Sequence, residues 1–502
     1  MQIKILDNEY WWGGAVDSGC EMPYSGKSQC RIDLERGGAD QCSPLFISSC
    51  GRLIYSPKPF SLEFKNGIID IDDKYNVDFA EGFENLKGAH REAARRYFKL
   101  GKGIPSEVFF KVPQYNTWIE LMYNQNEKQI LEYAHSIVDN GMTPGILMID
   151  EGWSEDYGVF DFYPGRFETP KKMVEELHSL GFTVMLWITP QISPDSNAFR
   201  ELRETDLLIH DKDGEFAIRK WWNGYSCVLD LSNPKAREWL DGKLKAVMDK
   251  YGVDGFKFDA GDWYFYRESD KTFVRQCAID NTKDYGEFAA NYTFNELRAV
   301  WNMGGEPIVC RLQDKRHTWG EDGLGRIIPN TIMQGLMGYY YGCPDMIGGG
   351  DFSSFVGDFH ADEELYLRWL EASVLCPMMQ FSIAPWRILS EESYKIVKEY
   401  SIFREKYSDY IISFAKYAAE NGEPIVRHMA YEFPDDGFEE TNDMFMLGDK
   451  YLVVPMLEKG KTEKCIRLPR GKWLVGGKTV EGGCNVNITY NIDTLAVLEK
   501  GM

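Results

Sequence analysis

Gly252-Val253-Asp254-Gly255-Phe256-Lys257-Phe258-Asp259-Ala260-Gly261-Asp262 decides how this chain is read. Before it, Ser232-Asn233-Pro234 has the form of a helix start, with an Asn able to cap and a Pro suited to the first turn. Trp239, Leu240, Leu244, Val247, Met248 and Tyr251 then recur on one helical face, and Gly252 closes the helix. Residues 253–258 are short and apolar and read as a buried strand. Lys257 and Asp259 stand two apart, so a strand aims both to the same side. Two charges are costly to desolvate unless they serve each other. An ammonium beside Asp259 would keep that carboxylate ionised and ready as a nucleophile.

The same unit recurs on both sides. Upstream, the strand 145–149 ends in Asp150-Glu151-Gly152-Trp153. A helix opened by Thr169-Pro170 and striped by Met173, Val174, Leu177 and Leu180 follows, and Gly181 leads into the strand 183–188. Downstream, a helix is expected over residues 287–302, a strand over 307–310, and further apolar strands near 339–341 and 378–381. Helix and strand alternating over some 300 residues fit a (β/α)8 TIM barrel, here residues 113–415. No GxGxxG opens a helix after a first strand, which argues against a dinucleotide-binding sheet. Residues 1–112 are rich in turn residues, with alternating runs at 52–55 and 61–64, and read as an N-terminal β-rich domain. Residues 416–502, with strands expected at 424–426, 451–455, 473–475, 486–490 and 494–498, read as a C-terminal β-sandwich domain.

Composition narrows the function. Asp plus Glu outnumber Lys plus Arg by 78 to 56, a formal charge of −22, which repels phosphate backbones and anionic lipid. Nucleic acid and membrane surfaces are therefore not expected as partners; a homo-oligomer stays open. Eleven cysteines fall in no CxxC pair and no zinc-ligand spacing, so no metal is expected. The start, Met1 to Gly14, lacks a basic segment followed by an apolar one, and no run of about 18 apolar residues follows elsewhere. The expected location is cytoplasmic. Aromatic residues make up 14% of the chain, enough to grip the C–H face of a sugar as well as to fill a core.

Catalytic groups of such barrels lie at the C-terminal strand ends. Here those ends carry Asp150 and Glu151, then Trp187, then Lys257 and Asp259, then Arg311, then Asp345. The Lys-x-Asp strand end resembles the nucleophile strand of glycoside hydrolase family 31 and of related α-galactosidase families. Ile149-Asp150-Glu151-Gly152-Trp153 and the loop Gly342-Cys343-Pro344-Asp345-Met346-Ile347-Gly348-Gly349 are similar to other stretches of family 31, as is Arg368-Trp369. So are Gly422-Glu423-Pro424-Ile425-Val426-Arg427, Glu432-Phe433-Pro434-Asp435 and Leu468-Pro469-Arg470-Gly471-Lys472-Trp473 in the tail. The likeness spans about residues 115–500. It implies a retaining exo-α-glycosidase without a cofactor, acting on an oligosaccharide or glycoside, with Asp259 as nucleophile. Trp319-Gly320-Glu321-Asp322 resembles the family's acid/base motif with its middle residues exchanged. That implies Asp322 as acid/base and leaves Glu321 and Asp314 as alternatives.

The spacing from Arg311 to Asp322, then Pro344-Asp345-Met346, then the run from Met379 to Arg387, resembles an α-galactosidase-like branch of the family. The glucosidase branch would carry an Arg and a His where Gln380 and Ser382 stand. By resemblance Asp150, Lys257, Arg311 and Asp345 hold ring hydroxyls, and Trp187, Trp319 and Trp386 line the site. Trp11-Trp12-Gly13-Gly14 is read as a loop reaching the pocket. The expected activity is release of terminal α-galactosyl residues. α-Glucosidase, α-xylosidase and α-N-acetylgalactosaminidase activity are alternatives on the same scaffold, and a non-catalytic carbohydrate-binding protein is the alternative of another class.

Overall fold

In the computed structural model, which describes residues 1–72 and 74–501, the described strands include eight that run parallel around a barrel. In chain order they are β1 (Gln114–Asn116), β2 (Ile146–Ile149), β3 (Thr183–Ile188), β4 (Gly255–Phe258), β5 (Asn295–Leu297), β6 (Cys310–Arg311), β7 (Gly342–Cys343) and β8 (Gln380–Phe381). Each pairs with its neighbour from β1 to β7, and β8 pairs back onto β1. The remaining seam is bridged where the Met378 N–H donates to the Gly342 carbonyl at 3.2 Å.

The pleat of β4 sorts its side chains. Phe256 and Phe258 face the helical layer, their rings 5.5 Å from Tyr292 and 5.8 Å from Tyr285. Burying each phenylalanine contributes about 1.5–3 kcal/mol. Lys257 therefore faces the barrel interior, and Asp259 follows it to the rim. The helix before this strand, Pro234–Tyr251, starts where the Asn233 side chain accepts from the Lys235 N–H at 3.0 Å. It ends at Gly252, whose φ of +82° suits glycine.

The barrel interior is polar and hydrogen-bonded rather than oily. Gln380 donates to Glu296 at 2.8 Å and to Gln114 at 3.0 Å, while Arg311 Nε lies 3.4 Å from Glu296. Burial raises the Glu296 carboxyl pKa despite Arg311 and Lys257. A buried network of this kind holds only when its members partner one another.

A helix over residues 287–302 does not form. The helix there is Asp280–Ala289, followed by β5 and then the short strand Val300–Trp301. Val300–Trp301 leaves the barrel and pairs parallel with Gln41–Ser48 of the N-terminal sheet, Val300 opposite Gln41 and Trp301 opposite Cys42. Trp11 and Trp12 also belong to that sheet, in Tyr10–Ala15. They are buried, Trp12 edge-on to His428 at 5.1 Å and Trp11 under Arg52, and neither lines the pocket. The strands expected at 307–310 and 339–341 pair one to three residues later, as β6 and β7, and β8 falls within the expected 378–381. The last long helix, Glu391–Asn421, runs past residue 416.

The tail forms a six-stranded antiparallel sheet from Val426–Arg427 to Ala496–Lys500, plus a two-stranded ribbon of Glu463–Arg467 and Asn485–Thr489. None of the eleven cysteines is in a disulfide. Among the described residues no helix is long and apolar enough to cross a membrane.

Trp301 is fully buried at the seam between the two sheets. Trp301→Ala is expected to cost about 3–5 kcal/mol of stability, measured as a lowered urea midpoint.

Candidate active site

Asp259 begins the turn after β4. The next residue, Ala260, sits at φ +57°, a left-handed conformation that costs a non-glycine residue on the order of 1–2 kcal/mol. That turn brings the Ala260 N–H back onto Asp259 Oδ1 at 2.8 Å. Trp187 Nε1, from β3, donates to Asp259 Oδ2 at 3.1 Å, and Arg298 Nε donates to Oδ1 at 3.3 Å. Burial alone would raise the Asp259 pKa. Arg298, Lys257, Arg311 and the Ala260 N–H outweigh it and hold the carboxyl well below the usual range. The group is an oriented carboxylate, favoured in its ionised form, facing a cavity.

Arg298 stands just past β5, where a helix was expected. Its two terminal nitrogens grip Asp262 at 2.7 and 2.6 Å, and Nη1 also donates to the Ala39 carbonyl at 2.6 Å. The Lys257 ammonium is not the direct partner of Asp259: it donates to Asp150 Oδ2 at 2.7 Å. Burial opposes its charge, but Asp150, Asp259 and Glu296 together more than restore it.

The cavity is about 270 Å³, just below the roughly 300 Å³ at which drug-sized pockets begin. Asp150, Glu151, Trp187, Lys257, Asp259, Asp262 and Arg298 form its polar side with Gln313 and Asp314. Trp118, Tyr123, Trp222, Tyr264 and Phe352 are its aromatic walls, and Ala39 is the N-terminal contribution. Trp222 sits at the tip of the hairpin joining Arg219–Trp221 to Gly224–Val228, and Arg298 lies 5.8 Å from its ring centre. The neighbouring Asn223 donates to both Glu151 oxygens at 2.9 and 2.6 Å. Burial, followed in effect by Asp150 and Asp259, pushes the Glu151 carboxyl up to about 7 against the Asn223 hydrogen bonds.

Asp150, Glu151, Trp187, Lys257, Asp259 and Asp314 thus meet in one pocket, and Arg311, Trp319, Glu321, Asp322, Asp345 and Trp386 do not line it. Arg311 is buried beneath it, with Nη1 at 2.7 Å from Asp314 and 3.1 Å from Asp345. Asp345 is fully enclosed, accepting from the Gly350 and Met346 N–H groups, so it anchors the loop under the site. Trp319 donates to Asp362 at 3.0 Å, and Trp386 stacks on Tyr133 at 6.2 Å; neither lines the cavity. Asp322 is exposed, accepts from Thr318 at 2.6 Å and lines a neighbouring groove, as does Glu321. Asp314 lines both the cavity and that groove.

Arg298, Tyr123, Tyr264 and Phe352 were not singled out from sequence. For Trp222 the signal was present: Trp-Trp-Asn-Gly at 221–224 marks a tight hairpin tip with an aromatic on it. Among the described residues no cluster of His, Cys, Asp and Glu is placed to hold a metal ion.

The fold and site define a (β/α)8 protein built like a glycoside hydrolase, with an ionised carboxylate at a strand end in an aromatic-walled pocket. Residues 111–414 match the family 31 glycosyl hydrolase TIM-barrel domain and residues 422–501 the family's C-terminal domain, so the chain belongs to glycoside hydrolase family 31. It is 32% identical over 400 residues to the myogenesis-regulating glycosidase of Mus musculus, covering 78% of this chain and 56% of that protein. It is 23% identical over 501 residues to alpha-glucosidase 2 of Bacillus thermoamyloliquefaciens, covering 89% of this chain and 62% of that one. The chain therefore spans less than two thirds of the length of either relative. In fold it is similar to a family 31 dextranase of Flavobacterium johnsoniae solved with glucose, at a TM-score of 0.86 and 20% identity, covering 100% of this chain and 66% of that one.

Because the Glu151 pKa is raised in the folded state, its ionisation works against folding. The protein loses stability as pH climbs from the ordinary 4.5 to about 7, a loss absent below that window. Glu151→Gln should thus gain melting temperature relative to the parent between pH 5 and pH 7.5, read by calorimetry at both values.

Proposed function

We propose that the protein is a retaining exo-α-glycosidase that releases terminal α-galactosyl residues. The observation that carries the reading is the Asp259 carboxylate, held by three donors and kept ionised, in the same small pocket as Asp314. Asp259 attacks the anomeric carbon while Asp314 gives its proton to the glycosidic oxygen; the C–O bond breaks and the leaving group departs as an alcohol. Water, deprotonated by Asp314, then cleaves the glycosyl–Asp259 ester, so the sugar leaves with its configuration retained. Asp314 takes the acid/base role here because it faces the nucleophile's pocket, whereas Asp322 and Glu321 face outward.

The size of the pocket supports exo action on a single terminal sugar. Two features support galactose over glucose. Gln380 and Ser382 are buried in barrel contacts, to Glu296 and to the Ile119 N–H, so the end of β8 offers the pocket neither an arginine nor a histidine. The resemblance of the Arg311–Asp322 region to the α-galactosidase-like branch points the same way. Relatives named alpha-glucosidase and alpha-xylosidase make those sugars the competitors in the test.

On a panel of aryl α-glycosides the galactoside should be preferred, and Asp259→Asn should lower its turnover at least about 10⁴-fold. Azide should restore activity to Asp314→Ala, giving galactosyl azide of retained configuration, and should not accelerate Asp322→Ala. Wild-type-like turnover by Asp259→Asn rejects the mechanism, and preference for a glucoside or xyloside rejects the sugar.

A further inference from the structure

Asp314 is held through its neighbours in sequence. The Gln313 N–H donates to Asp40 Oδ1, and Lys315 Nζ donates to the Gln313 carbonyl at 2.7 Å. The Lys315 N–H donates to Asp345 Oδ2 at 2.5 Å, and the Lys315 carbonyl accepts from the Gly350 and Asp351 N–H groups at 3.0 and 2.9 Å. Both peptide groups that meet at the Asp314 Cα are therefore fixed. The Asp314 side chain is itself 35% exposed, with Arg311 as its ion-pair partner at 2.7 Å. Its aim into the pocket follows from where the backbone on either side is pinned.

Of these holders, Asp40 alone comes from the N-terminal domain. Its carboxyl is buried, and Lys315 Nζ lies 3.9 Å from Oδ2. Burying a carboxyl is costly, and here burial raises its pKa against the pull of Lys315. A carboxyl accepts a backbone N–H in either protonation state, so the contact to Gln313 does not depend on the charge. Asp259 takes its orientation from Trp187, Arg298 and the Ala260 N–H, whereas the Asp40 side chain is directed to Gln313. The two carboxylates are thus set by different side chains. A misplacement of about 1 Å can cost an enzyme about 10²-fold in rate, so a group that pins the residue before the general acid bears on the proton transfer.

We infer that Asp40 is a positioning residue for the protonation step, holding Gln313 so that Asp314 stays within reach of the glycosidic oxygen. This rests on the reading of Asp314 as the general acid. It gives the N-terminal domain a part in catalysis that is separable from the nucleophile.

The test compares kcat/KM, which reports formation of the glycosyl–Asp259 ester, for two α-glycosides of the sugar that the wild-type protein turns over best. Dinitrophenolate leaves without a proton, whereas methanol needs one, so the dinitrophenyl glycoside bypasses the acid and the methyl glycoside requires it. Asp314→Ala is the reference and should lose at least about 10²-fold on the methyl glycoside and under about fivefold on the dinitrophenyl one. Asp40→Ala should reproduce that selectivity, with a loss of at least about tenfold confined to the methyl glycoside. Asp40→Asn, which keeps an acceptor for Gln313, should recover most of the loss. Where Asp40→Ala does not fold, Lys315→Met, which frees the Gln313 carbonyl, is expected to show the same selectivity. Equal losses on both substrates, no loss on either, or a defect that asparagine does not restore would overturn the inference. An even loss in Asp314→Ala itself rejects the choice of acid, whereas a selective loss there beside an even one in Asp40→Ala rejects this inference alone.

Discussion

At the rim of the barrel two carboxylates, Asp259 and Asp262, meet a single guanidinium, that of Arg298. Bringing these charges out of water is expensive, and the arrangement holds because each polar atom has a directed partner. Asp262 takes the paired hydrogen bonds, which fixes the plane of the guanidinium. Asp259 takes the weaker third contact at 3.3 Å, keeping its charge while leaving an oxygen to face the cavity. Arg298 orients Asp259 and favours its charge, and Trp187 and the Ala260 N–H complete that orientation.

The clamp depends in turn on the N-terminal domain. Ala39 supplies a carbonyl to Arg298, and Gln41 donates to the carbonyls of Arg298 and Arg311 at 2.6 and 3.0 Å. Asp40 accepts from the Gln313 N–H next to Asp314. One short loop thus reaches the ends of β5 and β6, beside Arg298 and Asp314, and Val300–Trp301 pairs with the strand that follows the same loop. The loop before the strand Gln41–Ser48 reaches the site through Ala39.

The barrel was legible because its signal is periodic: apolar helical faces closed by glycine, each followed by a short apolar strand. Asp150, Trp187, Lys257 and Asp259 were legible for the same reason, since strand-end position converts directly into a place at the rim. Arg298 was hidden by a local ambiguity. Residues 287–302 carry enough apolar residues to read as a continuous helix, but Asn295–Leu297 is drawn into the parallel sheet by β4 and β6, a tertiary pairing that overrides local pattern. Asp314 and Asp322 show a different limit. Eight residues apart on one loop, they are equally good carboxylates in sequence, and the Trp-Gly-Glu-Asp likeness favoured the second. What separates them is the Arg311 contact that turns Asp314 inward and the Thr318 contact that holds Asp322 at the surface.

The central claim is that Asp259 becomes covalently attached to the sugar. Incubation with a fluorinated α-galactosyl fluoride whose glycosyl-enzyme hydrolyses slowly, followed by peptide mass mapping, tests it most directly. The account predicts one sugar adduct, on the peptide containing Asp259, and none in the Asp259→Asn protein. An adduct on Asp150, Glu151 or Asp314, or inactivation with no adduct at all, would contradict it.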